Sequence, residues 1–209
     1  MAENETIIFD FDGTIADSLL LVIGIFRELT GWQGAQTPED VARMRRMPIR
    51  KVIKEVKVPL YQAPSLLMRG RKMMTARIAE VPIFAGMADV IRTLHEQGHR
   101  MLVMSTNSAQ NVEKFLRLNH LEVYFDAIYG GVGLLNKAGV LRRITRINHI
   151  DREKCVYIGD EQRDIDGARR VNIKAIAVSW GYNDAELLHA HHPFALAETP
   201  ADILKILKK

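Results

Sequence analysis

The feature that most constrains the fold is an alternation of two sequence patterns along the chain. Short apolar runs rich in β-branched residues end in small or acidic residues, which is typical of strands buried on both faces of a parallel sheet. Segments with apolar residues at helical spacing lie between these runs, and strands that alternate with helices predict βαβ crossovers. The predicted strands cover residues 6–9, 101–104, 127–129, 155–158 and 173–178.

Residues 17–82 break this alternation, because they show no convincing strand pattern. Apolar periodicity predicts helices over residues 18–29, 49–56 and 65–79, and five prolines mark the connections between them. We therefore predict an α/β protein in which residues 1–16 and 83–209 form a doubly wound parallel sheet with its helices. The helical residues 17–82 are predicted to be an insertion between the first two strands.

Pairs of carboxylates follow two of the predicted strands. Asp10 and Asp12 come directly after the first strand, at alternate positions that tend to point to the same side. Asp160 and Asp164 follow a later strand and are one helical turn apart, although acidic capping of a helix is a competing interpretation. Open α/β sheets bind ligands at the carboxyl ends of their strands. Like charges buried together there are costly unless a cation or a shared proton compensates them, and Mg²⁺ suits a site of oxygen ligands with a phosphate.

Polar and cationic residues mark two further helix starts. Ser105, Thr106 and Asn107 follow the strand at 101–104, where hydroxyls, amides and free N–H groups suit a phosphate. Simple helix capping is again the competing interpretation. Lys137 opens a predicted helix, and because a lysine there opposes the helix dipole, we expect it to have a fixed anionic partner.

Taken in order, these four groups resemble the four motifs of the haloacid dehalogenase superfamily. The resemblance covers nearly the whole chain, and residues 178–181 are similar to a late loop of its phosphoglycolate phosphatase-like members. It implies a Rossmann-like core with a small inserted α-helical cap, residues 17–82. The motifs are Asp10-Phe11-Asp12-Gly13-Thr14, Ser105-Thr106-Asn107, Lys137, and Gly159-Asp160 with Asp164.

The resemblance also implies how the motif residues act on a phosphate. Asp10 is the nucleophile that forms an aspartyl-phosphate, and Asp12 protonates the leaving oxygen and then activates water. Lys137 is catalytic because it offsets the charge on the phosphoryl oxygens. These oxygens are bound by the second motif, in which Ser105 is the preferred hydroxyl and Thr106 the alternative, with Asn107 beside them.

The same resemblance implies a magnesium site and an activity. Asp10, the backbone carbonyl of Asp12, and Asp160 hold Mg²⁺, with Asp164 supporting or ligating. We therefore predict a Mg²⁺-dependent phosphatase acting on a small phosphorylated metabolite, a phosphoglycolate-like phosphomonoester. Two alternatives stay open: a β-phosphoglucomutase-like phosphomutase, which shares all four motifs, and a regulatory or binding protein whose site is idle.

The basic residues suggest where substrate choice resides. The net charge of +4 suits a phosphorylated metabolite. The planar guanidinium of arginine suits a carboxylate or a second phosphate, so Arg45, Arg46 and Arg50 are predicted to determine specificity. A solvated helix face is an equally open interpretation. Nucleic acid is disfavoured as a partner, because aromatic side chains do not interleave with these cations.

Composition indicates the class of protein and its cellular location. Hydrophobic residues make up 47% and charged residues 26%, as in ordinary globular proteins. Cys155 is the only cysteine, so no internal disulfide is expected. The polar, acidic N-terminus and the absence of an apolar stretch of bilayer length predict a cytoplasmic protein with no membrane partner. We expect a monomer or a homodimer.

Overall fold

Six parallel strands form the sheet that organises the molecule. The structure is a computed structural model, and it describes residues 5–56, 60–133 and 136–208. The strands are β1 (Thr6–Phe9), β2 (Arg100–Met104), β3 (Ala127–Tyr129), β4 (Cys155–Gly159), β5 (Lys174–Val178) and β6 (Ala195–Ala197). The helices are α1 (Leu19–Thr30), α2 (Pro38–Arg45), α3 (Ile49–Val56), α4 (Ala63–Arg77), α5 (Met87–Glu96), α6 (Ala109–Leu118), α7 (Lys137–Ile147), α8 (Gln162–Arg169), α9 (Ala185–His189) and α10 (Pro200–Leu207). Short 3₁₀-helices cover Leu60–Gln62, Ile78–Glu80 and Glu122–Tyr124.

The order of the strands places β1 at the centre of the sheet. The order is β3-β2-β1-β4-β5-β6, and Phe9 of β1 pairs with Val103 on one side and Ile158 on the other. The chain runs from β1 to β2 and β3 on one side, and then crosses to β4 on the other. The boundary between β1 and β4 is therefore the topological switch point, where sheets of this type bind ligands. The doubly wound parallel sheet predicted from the sequence is confirmed.

Alternate residues along the strands enter two separate cores. Ile7 and Phe9 belong to the core on one face of the sheet, whereas Ile8 belongs to the core on the other, and all three are 0% exposed. A strand covered on both faces needs apolar residues at every position, which explains the continuous apolar runs in the sequence. This packing fixes the position of the loop that follows β1.

The helical insertion (residues 17–82) leaves and rejoins the sheet at neighbouring points. The backbone N–H of Asp17 donates to the carbonyl of Pro82 at 2.9 Å, and that of Phe84 donates to the carbonyl of Ile15 at 3.1 Å. Among its described residues, 17–56 and 60–82, the insertion contains α1 to α4 and no strand of the sheet. The predicted helical character of this region is confirmed.

Several elements differ from the sequence prediction. The region around Pro38, predicted as a connection, begins helix α2. Thr37 and Asp40 form a capping box there: the hydroxyl of Thr37 accepts from the N–H of Asp40 at 3.2 Å, and the carboxylate of Asp40 accepts from the N–H of Thr37 at 3.3 Å. Proline at the first turn of a helix needs no hydrogen-bond partner, so Pro38 favours the helix start. The strand β6 and the helices α9 and α10 were also not predicted.

The helices are short. The longest, α4, has 15 residues. Across the three described ranges, no helix combines the length and the apolar character needed to cross a bilayer.

Candidate active site

The predicted site residues gather at the carboxyl edge of the sheet. Asp10 directly follows β1, Ser105 directly follows β2 and Asp160 directly follows β4. The backbone N–H of Asp10 donates to the carbonyl of Ile158 at 2.8 Å, so the pairing of β1 with β4 continues up to the site. The chain then turns sharply at Gly13, whose φ of +82° is the left-handed conformation that glycine adopts readily.

Three carboxylates form a buried cluster at this edge. Asp10, Asp160 and Asp164 each offer an oxygen, and these oxygens lie within 4.8 Å of one another. Their residues are only 4%, 0% and 1% exposed. Three negative charges packed this closely and away from water are costly unless a cation or a proton compensates them. The oxygen-only donor set fits a hard divalent cation.

Lys137 supplies one positive charge to this cluster. Its Nζ lies 2.5 Å from Oδ2 of Asp10, contacts Oδ1 of Asp164, and lies 3.4 Å from the hydroxyl of Tyr157. Lys137 is the first residue of α7, where the sequence predicted an anionic partner for it. Burial alone would lower the pKa of Lys137, but the carboxylates of Asp10 and Asp164 outweigh burial and raise this pKa, so the ammonium stays charged.

The protonation of Asp10 depends on what surrounds it. Burial raises the pKa of Asp10 from 3.8 to about 7, although the ammonium of Lys137 acts to lower it. The charge of Asp164 raises this pKa further. A divalent cation held at the cluster would oppose these effects and favour the ionised carboxylate.

Asp160 is held rigidly from two sides. The hydroxyl of Thr14 donates to its Oδ1 at 2.8 Å, and the backbone N–H of Tyr182 donates to its Oδ2 at 2.7 Å. Gly13 and Gly181 lie so close to Asp160 that a Cβ at either position would collide with its carboxylate. Burial, followed by the charge of Asp10, raises the pKa of Asp160 well above its ordinary value.

Asp12 lies beside this cluster and has different partners. The hydroxyl of Ser18 donates to its Oδ1 at 2.8 Å, and the amide of Asn107 donates to its Oδ2 at 3.3 Å. Burial raises the pKa of Asp12, while these two hydrogen bonds lower it. Asp12 is half-buried, whereas Asp10, Asp160 and Asp164 are buried.

The second predicted motif lies between β2 and α6. The hydroxyl of Ser105 accepts from the backbone N–H of Asn107 at 3.0 Å, and Ser105 is 1% exposed. The amide of Asn107 reaches Asp12, and its Oδ1 accepts from the side chain of Asn111 at 2.8 Å. Thr106 is half-buried between them. The motif therefore places Asn107 next to Asp12 and bonds Ser105 to the backbone of Asn107. The choice between Ser105 and Thr106 as phosphate ligand stays a prediction.

Comparison with known proteins identifies the family. Residues 7–178 match the family described as haloacid dehalogenase-like hydrolase. The phosphoglycolate phosphatase of Synechococcus elongatus is 32% identical over 203 residues, which are 96% of this chain and 96% of that protein. The chain belongs to the haloacid dehalogenase-like hydrolases.

One further relative and one solved structure are also similar to this chain. The tyrosine-protein kinase PtkA of Mycobacterium tuberculosis is 27% identical over 88% of this chain and 65% of that protein. The crystal structure of a protein described as a predicted phosphatase from Clostridium acetobutylicum has a TM-score of 0.82 at 22% identity, covering 99% of this chain and 100% of that one. The predicted family and the predicted enzyme class, a phosphatase of the haloacid dehalogenase-like hydrolases, are confirmed.

The three arginines predicted to determine specificity lie on the helical insertion, between the end of α2 and the start of α3. The guanidinium of Arg45 donates to the carbonyl of Ser179 at 2.6 Å, and that of Arg46 pairs with Asp184 at 3.1 Å. Arg50 is exposed. Arg45 and Arg46 thus contact the loop that follows β5, and the role of all three in substrate binding stays a prediction.

Sequence reasoning missed several residues of this site. Ser18 contacts Asp12, and Tyr182 contacts Asp160. The side-chain oxygen of Asn183 accepts from the backbone N–H of Gln162, at the start of α8. The sequence does carry a signal for Ser18, because its hydroxyl lies only six residues after Asp12, at the start of the insertion. Tyr182 had no such signal, since its contacts join residues far apart in the chain.

Proposed function

We propose that this protein is a Mg²⁺-dependent phosphatase that hydrolyses a small anionic phosphomonoester, such as phosphoglycolate, through an aspartyl-phosphate on Asp10. The observation that carries the proposal is the position of Asp10, which contacts the ammonium of Lys137 and shares one oxygen cluster with Asp160 and Asp164. A buried carboxylate beside one fixed cation, with a second cation favoured by the oxygen cluster, suits nucleophilic attack on a dianionic phosphate.

The carboxylate cluster fits a magnesium ion. Asp10 and Asp160 would ligate it with the backbone carbonyl of Asp12, and Asp164 would ligate or support it. Magnesium favours oxygen ligands and retains several waters, which matches a cluster at the edge of a sheet. When bound, it would neutralise charge on the phosphate and favour the ionised form of Asp10.

The residues of this chain would carry out the hydrolysis in two steps. In the first, Asp10 forms a bond from its carboxylate oxygen to phosphorus, the bond to the leaving oxygen breaks, and Asp12 gives that oxygen a proton. In the second, Asp12 takes a proton from water, the water oxygen attacks phosphorus, and Asp10 is released. Lys137 offsets charge on the phosphoryl oxygens in both steps, and Ser105 with Thr106 and Asn107 orients them.

The helical insertion is proposed to be the cap of the enzyme, with residues 1–16 and 83–209 as the core. It leaves the core directly after the Asp12 turn, and its α2 contacts the loop after β5 through Arg45. These contacts support a position above the carboxyl edge. Because the edge handles only phosphate and metal, the cap would select the leaving group, through Arg45, Arg46 and Arg50.

A phosphomutase would use the same first step but return the phosphoryl group to a second hydroxyl. An idle regulatory protein would need none of the buried charges of the cluster. The contact between Lys137 and Asp10 favours an active site over an idle one, because the attraction within a buried ion pair often does not repay the cost of removing both charges from water.

The test is release of inorganic phosphate from a panel of phosphorylated metabolites that includes phosphoglycolate, with Mg²⁺ or with EDTA. We expect turnover only with Mg²⁺, and a loss of about a thousandfold or more in Asp10→Asn. Asp126→Asn, which removes a surface carboxylate paired with Arg100, is the matched control and should keep wild-type rates. Wild-type turnover in Asp10→Asn would refute the covalent mechanism, and isomerisation of a sugar phosphate without phosphate release would show a mutase.

A further inference from the structure

One loop connects the candidate active site to the helical insertion. This segment, the 179–184 loop, directly follows β5. Its Tyr182 reaches Asp160 with the backbone N–H, at 2.7 Å. Its Asp184 donates a backbone N–H to the carbonyl of Arg45 at 3.1 Å, and its Asn183 donates a side-chain N–H to the same carbonyl at 3.3 Å. The loop is therefore bonded to the candidate active site at Asp160 and to the insertion at Arg45.

The side chain of Tyr182 adds a contact to the other side of the site. Its hydroxyl lies 3.0 Å from the hydroxyl of Ser18, which donates to Oδ1 of Asp12 at 2.8 Å. A hydroxyl has one proton to donate, so Ser18 can bond Asp12 in this way only if Tyr182 donates to Ser18. The result is a directed chain of hydrogen bonds from Tyr182 through Ser18 to Asp12.

Packing holds the ring of Tyr182 in place. The ring lies against a small apolar cluster of the insertion formed by Leu19, Ile23 and Ala35. Leu19 and Ile23 lie on α1, which begins directly after Ser18. The same helix thus positions both hydroxyls of the chain, and the orientation of the Asp12 carboxylate depends on how the insertion and the 179–184 loop meet.

We propose that Tyr182 is a positioning residue for proton transfer by Asp12, acting through Ser18. The inference rests on the proposed function, because that function assigns Asp12 to protonating the leaving oxygen. Orientation of an acid matters most when the leaving group is a strongly basic alkoxide, and least when it is a stable phenolate. The positioning chain should therefore matter most for aliphatic phosphomonoesters, the class to which phosphoglycolate belongs.

The experiment compares Tyr182→Phe with wild type on an alkyl phosphate and on 4-nitrophenyl phosphate. The variant keeps the ring and the backbone N–H to Asp160 and removes only the hydroxyl. We expect kcat/KM for the alkyl ester to fall about tenfold, a fraction of the effect of a general acid, and that for the aryl ester to fall less than about twofold. The Mg²⁺ concentration for half-activation should not change. Tyr129→Phe, whose hydroxyl accepts from Asn148 at 2.6 Å, is the matched control and should match wild type on both esters.

A double mutant tests whether Tyr182 acts through Ser18. Ser18→Ala should reproduce the selective loss on the alkyl ester, and adding Tyr182→Phe to it should cause no further loss, because residues that act in one chain are not additive. Equal losses on both esters, a changed Mg²⁺ requirement, or additive losses would overturn the inference. Asp12→Asn distinguishes a failure of this inference from a failure of the proposed function. If Asp12→Asn does not lose more activity on the alkyl ester than on the aryl ester, the proposed acid role of Asp12 is wrong.

Discussion

The buried cluster at the sheet edge and the surface of the helical insertion use charge in opposite ways. In the cluster, Asp10, Asp160, Asp164 and Lys137 are each at most 4% exposed, and one ammonium contacts two carboxylates. The insertion carries twelve lysines and arginines against six acidic residues, whereas the rest of the chain carries 17 against 19. Most of the basic side chains that the structure describes in the insertion are exposed, as Arg50 is.

This difference sets the size of the effect expected from each region. Charges buried in a medium of low polarity interact strongly and are costly when left unpaired, whereas exposed charges are screened by water and salt. A change in the cluster should therefore affect stability and turnover together. A change on the insertion should affect mainly the recognition of an anionic substrate. The predictions below test this contrast, beginning with the largest effect.

Removing the ammonium of the cluster should be the most damaging change. Lys137→Met keeps the length of the side chain but leaves the carboxylates of Asp10 and Asp164 buried without their cation. We expect the free energy of unfolding in EDTA to fall by about 3–5 kcal/mol, as for other broken buried ion pairs. Turnover should fall about a hundredfold or more, because charge on the phosphoryl oxygens is no longer offset. Urea unfolding and phosphate release measure the two effects.

The matched control for this change is Lys174→Met. Lys174 is exposed, lies 3.9 Å from Glu5 and contacts the ring of Phe194. Its removal should change neither quantity appreciably, since exposed ion pairs contribute about 0–1 kcal/mol. If Lys137→Met were as mild as Lys174→Met, the contrast between buried and exposed charge would be wrong for this protein.

The next test concerns the protons of the cluster. The raised pKa of Asp10, about 7, means that without metal the folded protein binds more protons than the unfolded one between about pH 4 and that value. The free energy of unfolding should therefore fall as the pH rises through this window, and the raised pKa of Asp160 acts in the same direction. Because Mg²⁺ binds ionised carboxylates, its stabilising effect should grow over the same window.

Calorimetric melting at about pH 5 and about pH 8, with EDTA or with Mg²⁺, measures this linkage. Asp160→Asn should reduce the increase in Tm caused by Mg²⁺, since it removes one oxygen of the cluster. Asp202→Asn should leave that increase unchanged, because its partly exposed carboxylate lies outside the cluster, where it pairs with Lys205 and caps α10 at Thr199. An increase in Tm that is independent of pH would place the ion away from the cluster.

The sequence predicted the parts of the fold that depend on local patterns. The runs that form β1 and β3 were predicted at their observed bounds, because apolar, β-branched strands between turns have a clear signature. The edge strand β6, Ala195–Ala197, has only three residues and no β-branched side chain, so no pattern distinguished it. Its place in the sheet comes from pairing with β5, which is a tertiary property.

The candidate site divides in the same way. Motif spacing predicted that Asp10 and Asp160 follow strands of the sheet, and the register of β1 with β4 brings them together. The contact of Lys137 with Asp10 joins residues 127 positions apart, and that of Tyr182 with Ser18 joins residues 164 positions apart. The sequence predicted an anionic partner for Lys137 but carried no signal for the contact of Tyr182, because such contacts depend on how separate elements pack.

The smallest effect is expected from the arginines of the insertion, and it separates the observed contact of Arg45 from the proposed substrate contact of Arg50. Arg45 holds the 179–184 loop through the carbonyl of Ser179, at 2.6 Å, so Arg45→Ala should lower kcat/KM on every substrate. Arg50 is exposed, so Arg50→Ala should raise KM about two- to fivefold for an anionic alkyl phosphate, as expected for an exposed ion pair. It should leave an aryl phosphate with an uncharged leaving group unchanged.

Salt sharpens this last comparison. The KM effect of Arg50→Ala should disappear at about 0.5 M NaCl, where exposed charges are screened over a few ångströms, whereas the effect of Arg45→Ala should persist. Arg46→Ala is the internal control, because Arg46 is exposed and already pairs with Asp184 at 3.1 Å, so it should change KM less than Arg50→Ala does. Equal changes on anionic and neutral substrates in Arg50→Ala would mean that this residue belongs to the solvated surface. Substrate charge would then have to be recognised by another part of the insertion.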